Sequence, residues 1–135
     1  MSRARQAARQ GDLRRARQRA AEQQSAEYDG KRWVELRDIK ADPRIQVRAG
    51  GLDEETVHRY ATVMFENQSY APFPPVELYR PEGEEDLWLS AGFHRVAGVE
   101  LADRWLVANG QEPIGGVDAY VRPGGWHAAY WNAIT

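Results

Sequence analysis

Residues 86–98, DLWLSAGFHRVAG, change their hydrophobic period across one glycine. Leu87, Trp88 and Leu89 read as a strand, whereas Val96, Val99, Ala102 and Leu106 follow helical spacing over residues 94–108. A strand that runs straight into a helix commits the chain to a fold in which sheet and helix are adjacent layers. The junction also has chemistry. A helix N-terminus presents unpaired N–H groups and the positive end of a dipole, which favour an anion. Gly92 lets a ligand approach the backbone with no Cβ in the way. His94 and Arg95 fall in the first helical turn, where a cation opposes the dipole unless a phosphate neutralises it, and Arg grips phosphate with a planar fork. By spacing alone, GFHR is either such a phosphate site or a strand–helix turn whose charges face solvent.

The remaining chain supplies partners for this unit. WVELRDI, residues 33–39, alternates as a half-buried strand, and ADPRIQVRAGG reads as an irregular connection. Asp53 is a helix N-cap followed by acidic Glu54 and Glu55, and Val57, Tyr60, Ala61, Met64 and Phe65 give an amphipathic helix over 54–67. PPVELYR and DLWLS form a hairpin about the turn PEGEE. NGQEPIGG closes the helix 94–108, VDAYVR (117–122) is a fourth strand, and WHAAYWNAI starts a last helix. Strand, helix, hairpin, helix, strand, helix describes a compact α/β (α+β) domain with a small mixed sheet and flanking helices.

The chain of 135 residues has room for one such domain. Residues 1–28 form an arginine-rich N-terminal arm, expected to be helical only against a partner, and residues 29–135 form the folded body. The first 24 residues carry seven arginines against Asp12 and Glu22, while the rest is acidic. A basic arm on an acidic body suits a polyanion such as DNA, or a solubilising helix. The absence of cysteine excludes disulfides, thiolate metal sites and thiol catalysis. No apolar run approaches the roughly 20 residues of a membrane helix, and the N-terminus lacks the apolar core of a secretory signal. The expectation is a soluble cytoplasmic protein with no membrane partner.

SAGFHRVAG resembles the phosphate-binding signature of the ParB/sulfiredoxin superfamily, whose members carry GERR, GCHR or DGFHR at a strand–helix junction. IQVRAGGLDEETVHRYATVM is similar to that family's first box, a Q-x-R followed by a helix. FPPVELYR resembles its next strand, and VDAYVRPGGWHAAYWNAI its later strand and helix. The likeness runs in order over about residues 33–134. It implies a nucleoside triphosphate, CTP or ATP with Mg²⁺, held at the phosphates by Gly92, His94 and Arg95, with Gln46 and Arg48 lining the same pocket. Phe73, Pro74 and Pro75 match the loop that borders the base, or serve as a rigid start to the strand. Slow hydrolysis and a nucleotide-dependent switch acting with DNA follow from the resemblance, as does an origin on a phage or plasmid. A homo-oligomer is left open.

Departures narrow the expectation. Phe93 stands where sulfiredoxins place their reactive cysteine, so that activity is excluded. The helix-turn-helix of partition proteins has no counterpart in these residues, Ala91 replaces a common Asp, and the stretch LVANGQEPIGG is long. A metal-dependent nuclease, a small-molecule phosphotransferase and a non-catalytic assembly module remain as alternatives. No general base is singled out by spacing. His58 and His127 read as packing or surface residues, and EGEED as a solvated turn. The aromatic stretch GGWHAAYWNA has no basic residue interleaved with it, so it reads as core and subunit contact, not as a platform for stacking nucleic-acid bases.

Overall fold

The computed structural model describes Arg15 and residues 30–134. The elements are β1 (Lys31–Glu35), a 3₁₀ turn (Leu36–Asp38), β2 (Ile39–Lys40), α1 (Pro43–Arg48) and α2 (Glu54–Asn67). They continue with β3 (Val76–Arg80), β4 (Leu87–Ala91), α3 (Phe93–Ala108), β5 (Gly116–Pro123) and α4 (Trp126–Ile134). The expected arm lies outside the described residues except for Arg15. That guanidinium meets the Glu112 carboxylate at 3.0 Å and donates to the Pro113 carbonyl at 3.3 Å.

The five strands form one mixed sheet in the order β1-β5-β3-β4-β2. β1 runs antiparallel to β5, β5 parallel to β3, β3 antiparallel to β4, and β4 parallel to β2. The expected hairpin is β3–β4, with Leu78 opposite Leu89 and Tyr79 opposite Trp88. The expected first strand is divided in two. After Glu35 the chain turns at Leu36, whose N–H donates to the Gly115 carbonyl, and resumes as β2 on the opposite edge. A flat sheet of this order would separate its edges by roughly 19 Å at ~4.8 Å per strand step. Three residues of 3₁₀ helix advance only about 6 Å, so the sheet must curl.

Alternation along β4 distributes its side chains between two helical layers. Leu87 and Leu89 join Val76, Leu78, Val117 and Ala119 in a core with Val96, Val99 and Leu106 of α3 and Met64 of α2. Ser90, on the other face, is fully buried; its hydroxyl donates to the Ala129 carbonyl at 2.6 Å and accepts from Asn132 at 2.8 Å, so α4 covers that face. α2 and α3 approach closely because Gly98 has no side chain: a Cβ there would meet Tyr60 Cβ at 3.1 Å.

The connection 41–51 is not irregular throughout, because it contains α1. Asp42 caps it by accepting from the Arg44 N–H at 2.8 Å, and Pro43 occupies the first turn. The Asp42 carboxylate also accepts from the Arg44 guanidinium at 3.0 Å and from Trp126 Nε1 at 2.9 Å, joining α1 to α4. The Arg44 hydrogen bond is the main reason its pKa is lowered to about 2. A folded-state value below the unfolded one, near 3.9, contributes stability above the latter that is lost as pH falls through the former. Asp42→Asn keeps a capping oxygen but removes the charge that meets the exposed Arg44 guanidinium, and is therefore expected to cost about 0.5–1 kcal/mol at neutral pH. Melting curves of wild type and variant should converge between about pH 4 and about pH 2. Curves that stay parallel through that window would refute the assignment.

The long segment 109–115 is fastened by one side chain of α3. The Asp103 carboxylate accepts from the Ile114 N–H at 2.6 Å and the Gly115 N–H at 3.0 Å. Burial pushes its pKa up despite those two amide donors. Asp103→Ala strands both amides and should cost about 2–3 kcal/mol in denaturant unfolding. Asp103→Asn keeps one acceptor oxygen and should fall between; equal stability of all three proteins would show that the segment is held elsewhere.

Candidate functional site

β4 passes into α3 through Gly92, which has φ 102° and ψ 26° and occupies the N-cap position. That left-handed conformation is strained for a side-chain-bearing residue. The space is closed as well: a Cβ at Gly92 would lie 2.4 Å from Val76 Cγ1 and 2.8 Å from Val76 Cβ. Glycine is thus required here by the contact with β3, in addition to any approach by a ligand. Among the described residues no side chain caps the first turn of α3, and that turn contains no acidic residue. Phe93 points into the core, leaving the positive end of the helix dipole beside a cleft of about 300 Å³.

Gly92, His94 and Arg95 all line this cleft, together with Gly51, Tyr60, Ser90 and Asn132. His94 Nε2 accepts a 2.9 Å hydrogen bond from the Asp53 N–H, so in this arrangement Nε2 carries no proton. The bond links the N-terminus of α2 to that of α3. Asp53 in turn accepts from the Thr56 N–H and hydroxyl, which hold its pKa below the ordinary carboxylate range. Tyr60 stands edge-on to His94, with ring centroids 6.5 Å apart.

Arg95 Nη1 donates to the carbonyls of Pro74 and Pro75, both at 2.8 Å. The Tyr70 hydroxyl also donates to Pro74, and burial raises that phenol to about 12, so it remains a donor at neutral pH. Phe73 packs against Tyr60 with centroids 4.9 Å apart. Phe73, Pro74 and Pro75 are therefore tied to the junction through Arg95 and Tyr60 but do not line the cleft. Nor do Gln46 and Arg48 line it: the wall near α1 is made by Ala49 and Gly51 just beyond them. Gln46 is half-buried, and its carbonyl accepts from the Gly51 N–H at 2.8 Å. The Arg48 guanidinium lies 5.4 Å from the centre of the Tyr130 ring.

Sequence reasoning passed over Ser90 and Asn132. Asn132 donates both to Ser90 and, at 3.2 Å, to Glu77, which is paired with Arg122 at 3.0 Å. A polar residue in an aromatic terminal helix was the available signal. His58 packs edge-on against Trp105 at 5.1 Å, and His127 against Trp126 at 5.2 Å. Among the described residues no three His, Cys, Asp or Glu side chains converge as metal ligands, and no helix is long and apolar enough to cross a membrane.

No protein-family model matches this sequence, and no curated protein sequence does. Among solved structures, it is similar to the C-terminally truncated chromosome-partitioning protein ParB from Caulobacter crescentus, complexed with CTP-γ-S. The TM-score is 0.56 at 16% sequence identity, over 78% of this chain and 51% of that one. The chain thus spans about half the length of the solved chain it matches. With its curled mixed sheet and the glycine-started helix at the end of β4, the chain has the ParB/sulfiredoxin-like fold.

Proposed function

We propose that the junction Gly92–Arg95 binds the phosphates of a nucleoside triphosphate, CTP or ATP, and that binding biases a conformational or assembly switch reset by slow hydrolysis. The observation that carries this reading is the uncapped start of α3, opening on a cleft with Arg95 in its first turn. The likeness to a ParB structure holding CTP-γ-S supports the same reading. A volume of about 300 Å³ is at the lower end for ligand pockets and suits a phosphate chain better than a whole nucleotide. The base then lies outside it. Gly92, Arg95 and the first amides of α3 would hold phosphate oxygens, with Asn132 and Ser90 on the opposite wall.

Among the described residues the lining contains no carboxylate. Mg²⁺ would therefore sit on phosphate oxygens and water with few protein ligands, as this ion commonly does. With no carboxylate base among those residues, any hydrolysis in the cleft would be slow, in keeping with a switch. Gln46 and Arg48 reach the ligand in this proposal only if the 46–51 segment closes on it.

Isothermal titration of CTP, ATP and GTP with Mg²⁺ tests the reading. Micromolar binding of one nucleotide, weakened in Arg95→Ala, is the expected result, and the preferred base separates a CTP switch from an ATP-using protein. If none binds and a defined oligomer forms without nucleotide, the fold serves as an assembly module instead. The arginine-rich arm would contribute DNA contacts of steep salt dependence.

A further inference from the structure

The tertiary structure corrects one expectation about the aromatic terminal segment. Its rings do have basic partners, supplied by α1. Arg44 and Arg48 are one turn apart on α1, and Trp126 and Tyr130 one turn apart on α4. The Arg44 guanidinium lies 4.5 Å from the Trp126 ring centre, Trp126 stacks on Tyr130 at 5.0 Å and 21°, and Arg48 lies 5.4 Å from Tyr130. Asp42 anchors Arg44 at 3.0 Å yet leaves its side chain 73% exposed.

Next to this ladder stands an indole that the fold leaves in water. Trp131 is 63% exposed and meets Tyr130 edge-on at 6.2 Å. Val47 of α1 and Ile134 of α4 are exposed too, so the pair of helices presents wet apolar surface with guanidiniums beside it. From Lys40 to Ala49 the chain carries Lys40, Arg44 and Arg48 against Asp42, and α4 has no acidic residue. Across residues 30–134, eleven basic side chains stand against sixteen acidic ones, whereas α1 and its cap carry Arg44 and Arg48 against Asp42, and Glu77, which accepts from Asn132 of α4, is paired with Arg122.

We infer that the α1/α4 face binds single-stranded nucleic acid, with Trp131 stacking on a base and Arg44 and Arg48 meeting the phosphates. Charge complementarity selects a polyanion, and an exposed indole beside guanidiniums is how proteins hold unpaired bases of any sequence. A duplex hides its base faces, so it would use only the charges. Arg44, Arg48 and Trp131 do not line the cleft at Gly92, so the inference stands apart from the nucleotide reading.

The test is fluorescence anisotropy of a labelled oligothymidylate, and of a duplex of equal length, with the full chain over a range of salt. Trp131→Ala should weaken oligothymidylate binding about five- to a hundredfold, the loss of one stacked base, and leave the salt slope unchanged. Arg48→Ala should flatten the slope by about 0.7, one phosphate contact on a single strand. Both residues are exposed, and circular dichroism checks that the variants fold. Arg95→Ala should bind the oligonucleotide like wild type, which separates this site from the cleft. Wild-type affinity in both α1/α4 variants would overturn the inference and assign binding to the arginine-rich arm. Preference for the duplex, absence of binding, or stronger displacement by polyglutamate than by oligothymidylate would overturn it equally, the last pointing to an acidic protein partner.

Discussion

Gly92→Ala is expected to destabilise the domain by about 3 kcal/mol, the sum of a left-handed residue that is no longer glycine, at about 1–2 kcal/mol, and an overpacked contact, at about 1–3 kcal/mol. Neither part can relax easily. The backbone at φ 102° is set by the turn from β4 into α3, and the obstructing atoms belong to Val76, fully buried in β3. For a domain of this size the loss corresponds to a melting temperature lower by about 10 °C. Val76→Ala removes the nearer obstruction, the Cγ1 at 2.4 Å. The double variant Gly92→Ala/Val76→Ala should thus be more stable than the two single losses add up to, by about 1 kcal/mol or more. Additive losses would mean that the cost at Gly92 is conformational alone. A melting temperature unchanged in Gly92→Ala would show that the backbone is not held left-handed.

Arg95→Ala should lower affinity for the bound nucleotide by about 10- to 100-fold, as expected for a charged hydrogen bond worth about 1.5–3 kcal/mol. It should also cost stability without any ligand, because Nη1 holds the Pro74 and Pro75 carbonyls together. Arg95→Lys separates the two roles. A lysine keeps the charge but lacks the planar fork that spans two carbonyls and a phosphate. It should recover part of the affinity, in a more salt-sensitive form, while melting nearly as low as the alanine variant. Titration and thermal unfolding of the three proteins check this. Alanine and wild type binding alike, with only the melting temperature changed, would make Arg95 a tether for the loop and nothing more.

These two residues show why part of the candidate site's geometry was legible in the sequence. A glycine between a strand period and a helix period marks a junction whatever surrounds it, and three residues of GFHR that were singled out do meet at one cleft. Their partners were not legible. That His94 accepts from Asp53, or that Arg95 reaches Pro74, depends on which elements lie side by side, and those pairs are 41 and 21 residues apart. Asp42 and Pro43 carry a helix-start signal inside what spacing alone presents as a connection, and Gln46 and Arg48 belong to that helix and not to the cleft wall.

By itself the sequence determined the local conformations: the capped helix 54–67, the hairpin, the long helix after Gly92 and the final strand and helix. Periodicity, caps and turn residues act between near neighbours, so they survive without knowledge of the fold. Only the tertiary structure decided that the first strand divides between the two edges of a curled sheet, that Ser90 and Asn132 meet across β4 and α4, and that two arginines of α1 cover the rings of α4. Those outcomes come from closing the sheet and burying both of its faces, which brings together residues whose distance along the chain carries no record of their contact.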